Sequence, residues 1–148
     1  MNQSPPPWSA SLIWSNPNTL HNLRSQRGQI PSKSGIYVFS KVPFINSPGG
    51  ILYVGKATSL KTRLASYLGD PAETRIFSRD GSRTSTTLKH PGKVQILMEA
   101  MHCGGHNIWV SWTCHASPGR LEGALIEWLQ PAFNSRMEEV LPDSTGNT

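Results

Sequence analysis

Two tyrosines stand in short apolar runs that each carry a glycine, Gly35-Ile36-Tyr37 and Tyr53-Val54-Gly55. Lys56 follows the second run, and Arg63 lies ten positions after Tyr53. Far downstream, Glu122 and Asn134 add a carboxylate and an amide. Hydrolysis of a phosphodiester asks for a set of this kind. It needs a base for water, cations for the charge that develops on the phosphoryl oxygens, and relief at the leaving oxygen. A phenol, a planar guanidinium and a carboxylate able to hold a divalent ion meet those needs. Singly, each residue also has an ordinary role. A tyrosine in a half-buried strand packs its ring and keeps its hydroxyl at the rim. An arginine bordering an apolar helix face snorkels.

Glu122 is the least ordinary of the six. An α-helix turns about 100° per residue, and on that wheel Leu121, Ala124, Leu125, Ile126, Trp128 and Leu129 gather into one arc. Glu122 falls inside the arc and Glu127 outside it. A carboxylate on a core-facing stripe is costly unless a cation or hydrogen-bond donors receive it. The plain reading is an arc-edge glutamate paired with an arginine; the sharper one is a metal ligand or a catalytic acid/base.

The pattern also predicts the elements that must position these groups. Residues 35–39 read as a strand, with Ile36 and Val38 on one face and Tyr37 and Phe39 on the other. The turn cluster Asn46-Ser47-Pro48-Gly49-Gly50 leads to a second strand at 51–55, with Leu52 and Val54 on one face and Ile51 and Tyr53 on the other. Together they form an antiparallel hairpin. Thr58 or Ser59 caps a helix that runs to about Leu68 on a stripe of Leu60, Leu64, Tyr67 and Leu68. Residues 70–92 read as a basic insertion, and 93–101 as a further helix. Alternation over 107–114 predicts a third strand with one buried face, and Ser117-Pro118 opens a last helix to about Leu129. Before the hairpin, residues 1–30 form an N-terminal arm, disordered in part. In it Trp8 to Trp14 straps onto the domain and Thr19 to Arg27 makes a short helix capped by Asn18 or Thr19. The domain proper spans 31–135 and a polar tail spans 136–148.

The chain has 148 residues, room for one core, and is expected to stand as a single domain. Its formal charge of +5 and pI of about 9.6 favour a polyanion partner. The N-terminus carries neither the charged nor the apolar region of a signal peptide, and there is no apolar run of membrane length. A cytoplasmic protein with Cys103 and Cys114 reduced is therefore expected.

Taken together, these motifs resemble the GIY-YIG nuclease family. Tyr53-Val54-Gly55-Lys56-Ala57 parallels a Tyr-Ile-Gly-Lys-Ala segment found in it, and Glu122, Pro131 and Asn134 stand in the order of its closing Glu…Pro…Asn motif. The resemblance implies an α+β fold with a small three-stranded antiparallel sheet flanked by helices. It implies a DNA endonuclease in which Tyr37, Tyr53, Arg63, Glu122 and Asn134 are catalytic, with Lys56, Gly35 and Gly55 in support. Glu122 would be the ligand of Mg²⁺ or Mn²⁺. Tyr37 would activate water, its pKa lowered by Arg63, Lys56 and the metal. Arg63 would grip the phosphate, and Asn134 would brace tyrosine or glutamate. Some members use a further base-side His or Lys, for which Lys56, His90, His102 and His106 are the candidates. DNA contacts are expected from Arg75, Arg79, Arg83, Lys89 and Lys93. A second copy or a protein partner is the remaining partner type. Two alternatives stand beside this reading: a non-catalytic DNA-binding module of the same fold, and a zinc module using His102, Cys103, His106, Cys114 and His115, whose spacings match no standard finger.

Overall fold

The computed structural model describes residues 5–68, 96, 100 and 103–134. Four antiparallel strands form one sheet: β1 (Asn18–Thr19), β2 (Gly35–Ser40), β3 (Ile51–Ala57) and β4 (Trp109–Cys114), in the order β1-β4-β2-β3. Among the described residues three α-helices with defined bounds accompany them: α1 (Leu20–Leu23), α2 (Leu60–Ala65) and α3 (Pro118–Leu129). The fold is α+β, as expected.

The strand count differs from the expected three, because the N-terminal segment completes the sheet along the free side of β4. Ser15 N–H donates to Trp112 O (2.8 Å), Ser15 Oγ accepts from Trp112 N–H (2.9 Å), and Leu20 N–H donates to Ile108 O (3.0 Å). Between these bonds Asn18 pairs with Val110 and Thr19 with Trp109. A two-residue strand is too short to show alternation, so its residues read only as a helix cap. Thr19 fills that role too: its Oγ1 accepts from Asn22 N–H (3.1 Å) at the start of α1. Within the stretch read as an arm, Leu20, Leu23 and Ile30 are core residues.

β2 pairs on both sides, and all six of its residues are buried. Its side chains divide as the period of two requires. Tyr37 and Phe39 face a layer made of α1, α2, Tyr67, Leu68, Ile96 and Ala100, while Ile36 and Val38 face α3. β3 departs from simple alternation. Phe39 pairs with Tyr53 but Ser40 pairs with Ile51, so Leu52 is an extra residue, a β-bulge. Leu52 and Tyr53 therefore share the α2 face, while Ile51 and Val54 share the α3 face. This corrects the expected grouping of Leu52 with Val54 and of Ile51 with Tyr53.

α2 is shorter than its apolar stripe suggested. Ser59 caps it, its Oγ accepting from Thr62 N–H (3.3 Å); the helix ends at Ala65, and Tyr67 and Leu68 pack from the turn beyond. α3 begins at Pro118 and stops at Gln130, which takes a left-handed conformation at φ 52°. β4 is buried along its middle on both faces rather than one: Val110, Ser111, Trp112 and Thr113 are all buried, and β1 and β2 flank the strand in the sheet. Among the described residues no helix is long and apolar enough to cross a membrane.

Candidate active site

The β2–β3 register sets the two tyrosines side by side. Tyr37 pairs with Gly55 and Tyr53 with Phe39, so Tyr37 and Tyr53 are diagonal neighbours on one face, their ring centroids 6.2 Å apart. Gly55 is what lets Tyr37 lie across β3. A Cβ on Gly55 would run into the Tyr37 ring and hydroxyl. Gly35 is equally constrained, since a Cβ there would strike Thr113 O of β4 and come within 2.9 Å of Leu60 Cδ1 of α2. These two glycines fix how closely the sheet, the tyrosine ring and α2 approach one another.

A third phenol joins them. Tyr67 Oη lies 3.4 Å from Tyr37 Oη, and the Tyr67 ring sits edge-on to Tyr37 at 5.9 Å. Read from the sequence alone, Tyr67 is one of four apolar residues on a helix stripe. Only its place two residues beyond α2 turns its hydroxyl toward Tyr37. Arg63 is exposed on α2, and its charge acts on all three phenols and on Glu122.

Glu122 is half-buried on α3 while Glu127 is exposed, as the wheel predicted. No hydrogen bond or ion pair with a described residue ties the Glu122 carboxylate down. Its pKa is raised by burial, which outweighs the opposing pull of Lys56 and then Arg63. Lys56 extends from β3 toward the first turn of α3, where its Nζ lies 3.9 Å from the position a Gly119 Cβ would take. A Cβ at Gly119 would meet that lysine at ordinary van der Waals distance, so the Lys56 side chain and the first turn of α3 lie side by side.

Burial also dominates the phenols. Tyr37 is raised above the usual phenol value, with loss of hydration outweighing the lowering by Tyr67, Arg63 and Tyr53. Tyr53 and Tyr67 are raised further, each by burial first. The expectation that cations would pull Tyr37 below its ordinary value is thus reversed by the protein's own groups. Arg63 acts in the expected direction but is too exposed to win, and Lys56 acts on Glu122.

Asn134 sits elsewhere than expected. Its side-chain amide clasps the backbone of Val54, Oδ1 accepting from Val54 N–H and Nδ2 donating to Val54 O, both at 2.9 Å. β3 is the sheet's edge strand, and this amide stands in for a fifth strand at one residue, between Tyr53 and Gly55. Asn134 therefore holds the strand that carries Tyr53 and touches neither a tyrosine hydroxyl nor the glutamate through these bonds.

The remaining candidates divide simply. Arg75, Arg79, Arg83, Lys89, His90, Lys93 and His102 lie outside the described residues. His106 stacks on His21, ring centroids 3.8 Å apart, and no hydrogen bond or charge interaction links it to the phenols. No group of three metal-capable His, Cys, Asp or Glu side chains occurs among the described residues, and Cys103 and Cys114 are free thiols. The zinc alternative has no cluster to rest on there.

No protein-family model matches the chain. It is 29% identical to UvrABC system protein C of Chlorobium luteolum over 121 residues, which cover 82% of this chain and 15% of that protein. The Campylobacter jejuni protein of the same name is 26% identical over 116 residues, covering 78% of this chain and 16% of its own length. The chain thus spans about a sixth of these relatives. Among solved structures, the magnesium-bound GIY-YIG N-terminal endonuclease domain of UvrC from Thermotoga maritima is 21% identical, with a TM-score of 0.42 over 76% of this chain and 96% of that one. That overlap is too loose to carry weight by itself. The sequence likeness to UvrC, the order of the motifs and the Tyr37–Tyr53 register agree in the resemblance of the chain to GIY-YIG domains.

Proposed function

We propose that this chain is a divalent-metal-dependent endonuclease that hydrolyses phosphodiester bonds in DNA. The observation that carries the reading is Glu122: a half-buried carboxylate without a hydrogen bond, sharing its surroundings with Arg63, Lys56 and the Tyr37–Tyr53 pair. The sequence likeness to UvrC supports nuclease activity in general.

The donor set fits one kind of metal. A single carboxylate cannot make a closed site, but a hard cation that keeps most of its water needs few protein ligands. Burial that disfavours the bare carboxylate is relieved when a cation adjoins it. Glu122 would hold Mg²⁺ or Mn²⁺, and that ion would supply positive charge where the transition state develops negative charge.

The chain's own residues then have separable tasks. Arg63, exposed and always charged, offers its guanidinium fork to a phosphate at the mouth of the site. Lys56 adds a second cation beside Glu122. Tyr37 Oη orients the attacking water, and Tyr53 Oη lies next to it on the same face. With its pKa raised, Tyr37 is a neutral phenol at physiological pH in the absence of further positive charge. Its proton leaves only when positive charge gathers at the site, so a site without the divalent cation would stay inactive. Tyr67 favours that departure by hydrogen-bonding to Tyr37. Gly35, Gly55 and Asn134 act on position alone.

A non-catalytic DNA-binding module gains some support from the raised phenol values. One experiment separates the two readings. Incubated with supercoiled plasmid and Mg²⁺, an endonuclease converts plasmid to nicked or linear forms and stops when the cation is chelated. Salt-sensitive binding with intact plasmid at every metal concentration would leave only the binding module.

A further inference from the structure

The connection between β2 and β3 is a braced structure rather than slack. Lys41 N–H donates to Gly50 O (2.8 Å) across its base, and Ser40 Oγ donates to Val42 O (2.6 Å). Phe44 is buried, its ring edge-on to Trp14 at 4.8 Å. Asn46, held at φ 58°, is clasped by the N-terminal strap: Trp14 Nε1 donates to its Oδ1 (3.0 Å), and its Nδ2 donates to Ser9 O (3.2 Å). Pro43 and Pro48 stiffen the same stretch.

A turn tied down at so many points could have hidden its apolar side chains. Instead Val42 is 52% exposed and Ile45 79%, with Ile13 of the strap 85% exposed beside the clasp. A lone exposed isoleucine is unremarkable on a protein surface. Two on one rigid turn, with buried Phe44 between them as the anchor, form a projecting apolar ridge.

The surrounding charge selects the partner. Residues 1–69 contain no aspartate or glutamate and seven lysines and arginines, Lys41 at the base of the turn among them. A second copy would meet this surface with like charge, whereas nucleic acid meets it with opposite charge. Tyr53 is two residues beyond the start of β3, roughly 7 Å at strand rise from the base of the turn, which is within the reach of a duplex whose phosphate lies at the tyrosines.

Resting on the DNA reading above, we propose that Val42 and Ile45 are an apolar wedge that enters the minor groove of duplex DNA and unstacks a base step beside the cleavage site. Apolar side chains delivered this way kink DNA and let more protein surface reach the backbone.

The test uses the full chain carrying Glu122→Gln, so that DNA is bound without being cut. Its affinity for a labelled duplex is measured across a salt series, with and without Ile45→Ser and with Val42→Ser added. The wedge predicts a loss of about tenfold for the double change, with the slope of log affinity against log salt unchanged, because an apolar contact releases no counterions. Lys41→Ala should instead reduce that slope by about one. A duplex with 2-aminopurine at the affected step should brighten with the parent and not with the serine variants. Unchanged affinity, or a loss accompanied by a reduced slope, would overturn the wedge while leaving the nuclease reading intact. So would a dimer in sedimentation that Ile45→Ser dissociates. A parent that binds no DNA at all overturns the nuclease reading and the wedge together.

Discussion

On one face of β2 and β3 stand Ile36, Val38, Ile51 and Val54 beneath the twelve-residue α3; on the other stand Tyr37, Phe39, Leu52 and Tyr53 beneath the six-residue α2. At about 1.5 Å per helical residue against about 3.3 Å per strand residue, α3 is long enough to cover most of the hairpin, whereas α2 covers less than half of it. The long cover makes a face of simple packing. The short cover leaves one end where Tyr53 stays half-buried and Arg63 exposed, and where Glu122 reaches in from the first turns of α3. The same two strands thus support a core on both sides, with the phenol cluster added at one end of the α2 face. The helices laid across the two faces differ in length, and α1, Tyr67, Leu68, Ile96 and Ala100 complete the layer that α2 begins.

The contrast can be broken most sharply at Glu122. Glu122→Gln should lower cleavage on the order of 10²-fold or more, as losing a main electrostatic group does, while duplex binding persists. Chelating the divalent cation from the unaltered chain should have the same effect. Stability should move the other way. A carboxyl group whose folded pKa is raised favours the fold below its unfolded value near 4.5, and that contribution disappears as pH rises through the folded value. Glutamine escapes this loss, so the variant's melting temperature should meet or exceed that of the parent at neutral pH, with the gap closing toward pH 4. A variant that cuts normally, or that melts well below the parent, removes Glu122 from the site proposed.

The packing face should respond in the opposite sense. Leu125→Ala empties a fully buried position under α3 and should cost about 2–5 kcal/mol in denaturant unfolding. Turnover by the folded fraction should stay within a few fold of the parent. A specific loss of turnover would show that the two faces are not separable.

Asn134 tests the edge of β3, where the faces meet. Asn134→Ala removes both bonds to Val54, at a net cost of about 1 kcal/mol each. The Val54 amide should then exchange with solvent far faster, and turnover should fall by more than the stability loss explains, because Tyr53 loses its brace. Unchanged exchange at Val54 would mean the clasp is not formed in solution.

Tyr67→Phe should give the smallest effect, about 1 kcal/mol or less of stability. Its value is in the pH profile. The hydrogen bond from Tyr67 lowers the Tyr37 pKa, so its removal should shift the rising limb of the rate profile, where Tyr37 loses its proton, to higher pH. An unmoved profile would take Tyr37 out of the ionising step.

Much of the fold could be read in advance, and for identifiable reasons. The alternation at Ile36–Phe39, the proline-started helix at Pro118 and the serine cap at Ser59 are local signals, and local physics placed them correctly. What failed were features set by a distant partner. Leu52 became a bulge because Ser40 pairs with Ile51, a register choice that no window of β3 alone displays. Asn18 and Thr19 became a strand only because β4 offered them an open edge.

The sequence by itself determined which residues could do chemistry: their types, their order and the inward arc holding Glu122 are properties of the chain. Tertiary structure alone decided what those groups are like. Packing buried the tyrosines and raised their pKa values against the cations around them. It turned Tyr67 from a core residue into a hydrogen-bonding neighbour of Tyr37, and it gave Asn134 a backbone to hold instead of a side chain. Hydration and hydrogen bonding depend on what lies across a few ångströms of space, and residues that meet there, such as Val54 and Asn134, are 80 positions apart in the chain.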